Sequence, residues 1–162
     1  MASEPHARIL RSIWRNEDWL DLSVTAQWLY ERLLSHEEVS LAGVVDWRPA
    51  RLTQSAVGAS IQLIEAAAVE LAERKFIVFD EGTEEALIRS FVRNDGLLKQ
   101  PNMGIAVAKA YAATGSRKLR GVLVYELQRL REDQPDLKGW AHLTEVLGKP
   151  SINPWTELQL AS

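Results

Sequence analysis

The sequence predicts a mainly α-helical chain carrying one small β-hairpin, and three observations predict it. A short apolar run, Val44-Val45-Asp46-Trp47, precedes two closely spaced helical stretches that meet around Gly58. Over most of the remaining chain, apolar residues recur at steps of three and four, the helical period. Phe76 to Phe79 and Ala86 to Val92 are strand-like runs separated by a loop that holds Gly82, the signature of a hairpin. Strand, helix, turn, helix and hairpin in that order outline a winged helix-turn-helix, with the hairpin as the wing. This domain is expected over residues 8–96, followed by a helical extension with an apolar tail over 101–162.

Each element has a local reason. Arg8 to Arg15 mixes three arginines with Ile9, Leu10, Ile13 and Trp14 and reads as a strand or an extended arm. Asn16 to Leu20 reads as a short helix with Glu17 and Asp18 in its first turn, where the helix dipole favours acids. Ser23 can cap a helix from Val24 to about His36, with Ala26, Leu29, Tyr30, Leu33 and Leu34 on its buried face. Gly43 and Pro49 bound the strand. Pro49 suits a helical first turn, so a short helix is expected over Ala50 to Ala56, with Leu52 and Val57 pointing inward. Ser60 caps the next helix, which runs to about Lys75 and buries Ile61, Ile64, Ala67 or Ala68, and Leu71. Its outer face holds Gln62, Glu65, Ala66, Val69, Glu70 and Glu73.

After Pro101 the composition shifts to an alanine-rich helix from Met103 to Ala113, stopped by Thr114-Gly115. Ser116 then caps a helix to about Glu132, with Leu119, Val122, Leu123, Leu127 and Leu130 as the buried stripe. The two are expected as an antiparallel pair joined at Gly115. Leu137 to Leu147 reads as one more helix. Ile152, Pro154, Trp155, Leu158 and Leu160 form a tail too apolar to stay in water, expected either in the groove between the two C-terminal helices or on a second copy of the chain.

Composition bounds the function. Hydrophobic residues make up 46 % and charged residues 25 % of the 162, ordinary values for a soluble domain. No run of apolar residues is long enough to span a membrane, and the first six residues lack the order of a signal peptide. A cytoplasmic protein without membrane contact is the expectation, and the absence of cysteine fits a reducing compartment. The net charge is −3, yet residues 89–120 carry +6 and the rest −9. Phosphate contact needs such cations arrayed along a surface.

The residues then carry a family resemblance. Arg11-Ser12-Ile13-Trp14 to Leu20, Leu22-Ser23 opening a helix with Trp28-Leu29-Tyr30, Gly43-Val44-Val45, the two helices, Phe76-Ile77-Val78, and Arg93-Asn94-Asp95-Gly96 follow one another. This run resembles the winged-helix domain of phage replication-organiser proteins, which are similar to the N-terminal domain of the bacterial primosome protein DnaD. Asn94 to Asn102, leading into the alanine-rich helix, is similar to the segment leaving the wing in members from actinobacterial phages and prophages. The resemblance covers about residues 8 to 132. It implies DNA binding in phage replication or gene control, without enzymatic activity.

The site expected on these grounds is a duplex DNA surface. Ser60, Gln62 and Ala66 would approach base edges. Arg89, Arg93, Lys99, Arg117, Lys118 and Arg120 would meet phosphates, unless they are ordinary solvated surface. Arg48 and Arg51 would grip flanking phosphates or pair with Asp46 and Glu65. Glu65, Glu70 and Glu73 oppose the DNA reading by like charge, which sets up a rival: a protein-interaction module on the same scaffold. The expected partners are therefore double-stranded DNA, a second copy of the chain as a homodimer, and a host or phage replication protein. The tryptophans are expected in the core or filling grooves; stacking on single-stranded bases is the lesser alternative, because they are not interleaved with Lys or Arg along one strand. His36 with Glu37 and Glu38 is the nearest thing to a metal or acid-base cluster and reads as a solvated helix end. Phosphate-cradling loops and nucleophile motifs are missing, so neither an enzyme nor a cofactor is expected.

Overall fold

The structure, a computed structural model, describes residues 4–158. It is mainly helical, and its strands form a small antiparallel sheet. Arg11–Arg15 is a 3-10 turn, neither the strand nor the extended arm expected. Helix α1, Glu17–Leu20, is capped by the Asn16 side chain, which accepts from the amides of Asp18 and Trp19. Helix α2, Val24–Leu34, starts at Ser23, whose Oγ accepts from the Ala26 amide, and buries all five of its expected core residues.

Strand β1 is Val44–Asp46. Helix α3 is only Pro49–Leu52 and passes into a 3-10 turn at Thr53–Ser55, shorter than the Ala50 to Ala56 expected. Leu52 is buried, but Val57 is fully exposed, because the helical stretch ends at Ser55 and Ala56 is extended, and Gly58 at φ +86° turns the chain directly after Val57. Helix α4, Ile61–Glu73, is capped by Ser60 Oγ and buries Ile64, Ala67, Ala68 and Leu71. Ile61, in its first turn, stays exposed.

Strands β2, Ile77–Asp80, and β3, Glu85–Ile88, form the hairpin, and the sheet order is β1-β3-β2. The second hairpin strand therefore ends well short of Val92. Ser90 turns the chain, and Phe91–Asn94 is a helical turn, α5, so Phe91 and Arg93 do not alternate along a strand. The register places Val44 beside Leu87 and Leu87 beside Val78 on one face, and Val45, Ala86 and Phe79 on the other.

Each face has its own core. Under α2 and α4, Val45, Ile77, Ala86 and Ile88 join Trp19, Leu29, Leu33, Ile64 and Leu71. On the opposite face, Val44, Val78 and Leu87 lie under helix α7, Arg117–Asp133, with Leu119, Val122, Leu123 and Leu127. The extension is thus the second layer over the sheet. Helix α6, Pro101–Ala113, makes its closest approach to the 3-10 turn Lys138–His142, where Gly104 meets the Gly139 carbonyl with no room for a Cβ. A close antiparallel pair of α6 with α7 was expected, and the Lys138–His142 turn takes α7's place as the main neighbour of α6. The stretch expected as one helix from Leu137 to Leu147 is that turn plus a separate helical turn, α8, Thr144–Leu147.

The tail docks on α7 of the same chain. The Ile152 amide donates to the Gly121 carbonyl at 2.9 Å, and the Ile152 side chain fills the space a Cβ on Gly121 would take. Pro154 is buried, and Trp155 lies over the Arg89 guanidinium, 5.1 Å from its ring centre. Leu160 falls outside the described residues. Among the described residues, no helix is long and apolar enough to cross a membrane.

Candidate nucleic-acid interface

Ser60, Gln62 and Ala66 belong to the N-cap and first half of α4, and Arg48 and Arg51 to the start and end of α3. Ser60 is half-buried, and its hydroxyl accepts from the Leu63 amide at 3.2 Å. Gln62 and Ala66 are exposed, one turn apart on the outer side of α4. Arg51 is exposed and has no acidic partner among the described residues. Arg48 pairs with neither Asp46 nor Glu65: its Nε lies 3.7 Å from Glu84 Oε2 in the hairpin loop.

The acids of α4 are not equivalent. Glu65 and Glu73 are exposed, whereas Glu70 faces α2 and accepts from Ser23 through both oxygens, from the amide at 2.9 Å and from the hydroxyl at 2.6 Å. Glu70 is therefore a clamp between two helices and leaves the outer face.

The basic stretch of residues 89–120 does not form one surface. Arg89 Nη1 donates to Glu126 Oε1 at 2.9 Å and its Nε to the Lys75 carbonyl at 2.6 Å, with the guanidinium largely covered. These bonds hold the hairpin base to α7 and leave Arg89 unable to serve a phosphate as expected. Arg93 pairs with Asp133 at 2.9 Å at the other end of α7. Lys99 sits beside Gly96, next to Arg8. Arg117 is exposed, and Lys118 and Arg120 are half-exposed, on the first turn of α7. Lys118 lines a groove of about 660 Å³ together with Glu65 and Val69 of α4.

The hairpin is anchored where sequence reasoning did not look. Both Glu85 oxygens accept from the amides of Gly115 and Ser116, at 3.0 and 2.8 Å. The Ser116 hydroxyl donates to Asp80 Oδ2 while accepting from the Leu119 amide, so one side chain caps α7 and latches the hairpin. That hydroxyl, with smaller help from the Thr83 and Gly82 amides and Lys118, outweighs partial burial and holds the Asp80 carboxyl below its usual 3.8. A carboxyl lowered by folding stabilises the fold fully above its unfolded value and loses that contribution as pH falls through the folded one. Ser116→Ala should therefore cost about 1–2 kcal/mol in urea unfolding at neutral pH, and the difference from the parent should shrink below pH 3.8. A difference that is constant down to strong acid would show that the Asp80 latch contributes nothing.

Two tryptophans depart from the core expectation. Trp19, Trp47 and Trp140 are buried, but Trp14 is 60 % and Trp155 49 % exposed. Arg8, Arg11 and Arg15 around Trp14 are exposed as well, a second basic surface that the charge count over residues 89–120 misses. Its signal in the sequence is the three-residue spacing of Arg8, Arg11 and Trp14 with Arg15 directly after.

No family model, no characterised protein and no solved structure matches the chain.

Proposed function

We propose that this chain is a winged-helix DNA-binding protein that acts in phage or prophage replication initiation or in transcriptional control. The observation that carries the reading is the chain order α2, β1, α3, α4, β2, β3 together with the sheet order β1-β3-β2. In a winged helix, that order presents the second helix of the helix-turn-helix beside a hairpin, and α4 leaves Gln62 and Ala66 uncovered, as α3 leaves Arg51. The resemblance to phage replication-organiser domains supports the biological setting. In this reading, Gln62 addresses a base edge in the major groove, Arg51 and Lys118 hold flanking phosphates, and Arg48 joins them when it releases Glu84.

Fluorescence anisotropy with fragments of the source genome tests it. Arg51→Ala should weaken binding on every fragment alike and lower the salt slope by about one. Gln62→Ala should cost about 1–3 kcal/mol on the preferred fragment and little elsewhere. Salt-insensitive binding, micromolar or weaker on all fragments, would sink the proposal.

A second reading, a protein-interaction module, is favoured by one specific observation. Val24, Val57 and Leu63 are 85, 108 and 49 % exposed around a groove of about 240 Å³ floored by Trp28. Exposed Glu65 and Glu73, elsewhere on α4, repel phosphate. A stoichiometric protein partner retained from nuclease-treated host lysate, and lost on Val57→Glu, is the outcome that would favour this reading over DNA.

A further inference from the structure

The segment Arg8 to Arg15 carries the strongest unexplained surface. Trp14 is 60 % exposed, and Ile9 and Leu10 are each 46 % exposed. In a 3-10 turn, side chains three residues apart eclipse, so Arg11 and Trp14 share one edge of the Arg11–Arg15 turn, with Arg15 adjoining. Among the described residues, none of Arg8, Arg11 and Arg15 has an acidic partner within ion-pair reach; Arg74 takes Asp18 at 3.0 Å and Asp21 at 3.4 Å, and Glu17, two residues after Arg15, is exposed and pairs with none of the three arginines. Arg8 donates one bond, to the Asp95 carbonyl at 3.2 Å, which ties the segment to the turn that also bears Lys99.

The ring is held without being covered. Trp14 meets the buried Trp19 edge to face, with centroids 6.3 Å apart and planes at 78°. Trp19 is itself fixed among Tyr30 and Phe76. Such a contact restrains the Trp14 rotamer while leaving it most of its exposure, so little side-chain freedom remains to be lost when something stacks on it. A restrained, exposed indole flanked by unpaired guanidiniums matches single-stranded nucleic acid, whose bases stack on aromatic rings and whose phosphates need cations alongside. Acidic peptides would satisfy the arginines but supply no flat face for the indole.

We propose that Trp14 with Arg11 and Arg15, supported by Arg8 and Lys99, forms a binding site for single-stranded nucleic acid, separate from α4. The site does not depend on the duplex reading above.

The test uses the full chain and a fluorescein-labelled oligothymidylate of about twelve nucleotides, with oligouridylate as the RNA arm. Trp14→Ala should weaken binding about tenfold, the effect of losing one stacked base, and Trp14→Phe should keep most of it. Arg11→Ala and Arg15→Ala should each lower the salt slope by roughly 0.7, the single-strand increment per phosphate contact. Duplex binding should be unchanged by Trp14→Ala, while Arg51→Ala should leave oligothymidylate binding intact. Melting curves of each variant confirm folding, and Trp14→Phe preserves the edge contact should Trp14→Ala disturb it. The proposal is overturned if the parent protein ignores both oligonucleotides at about 50 mM salt. It is equally overturned if Trp14→Ala and Trp14→Phe both bind like the parent, or if a polyglutamate peptide or anionic vesicles compete as well as the oligonucleotide.

Discussion

Arg89→Ala should destabilise the protein by about 3–5 kcal/mol, the usual effect of removing one partner from a buried ion pair. The Glu126 side chain is 4 % exposed and Arg89 supplies its charge partner at 2.9 Å, so truncating Arg89 leaves a carboxylate in the core. The same change removes the bond to the Lys75 carbonyl and the guanidinium beneath Trp155. Glu126→Ala should cost less, because Arg89 is 19 % exposed and keeps the Lys75 carbonyl as acceptor. Replacing both by apolar residues of similar volume should recover much of the loss. Urea unfolding of the two single variants and the double variant measures these terms as a cycle. A cost below about 1 kcal/mol for Arg89→Ala would show that solvent reaches Glu126 and that the pair behaves as a surface one. In DNA titrations the folded Arg89→Ala protein should keep the parent salt slope, since this arginine is spent inside the fold.

The contrast between Arg89 and the helix starts shows which parts of this structure are legible in the sequence. Ser23, Ser60 and Ser116 each stand immediately before a segment with the helical apolar period, and all three hydroxyls accept from the amide three residues on. Capping is local chemistry, visible in a few residues. The fate of Arg89 is decided by Glu126, 37 residues away, and nothing in the run Ala86 to Val92 hints at it. Val57 likewise follows the helical period on paper, but the helical stretch ends at Ser55 and Ala56 is already extended. The exposed site at Trp14 escaped because arginines mixed with apolar residues read equally well as a strand. Only the 3-10 geometry puts Arg11 and Trp14 on one edge. The two-sided burial of the sheet was readable in part. Val44-Val45, Ile77-Val78 and Ala86-Leu87-Ile88 are apolar at both parities, the pattern of strands covered on both faces. Which element covers the second face is not written in those residues.

That second face sets the largest expected effect. A chain ending at Gly96 should fail to fold cooperatively, although it retains every element of the proposed winged helix. Val44, Val78, Leu87 and Val92 are at most 8 % exposed, and each joins the core built around α7. Burying a Val or Leu side chain contributes roughly 1.5–3 kcal/mol, so exposing four of them forfeits about as much as the roughly 5–15 kcal/mol that holds a typical domain together. Polar losses add to this, because Asp80 and Glu85 lose Ser116 and Arg89 loses Glu126. The truncated chain should show helical circular dichroism without a sharp melt, and it should bind a hydrophobic dye that the full chain ignores. A cooperative melt within a few degrees of the full protein would refute the argument and make residues 4–96 an independent domain. If the argument holds, the DNA surface proposed on α4 is built on a sheet that the extension stabilises from behind, and variants deep in α7, such as Leu123→Ala, should weaken DNA binding only by unfolding the protein.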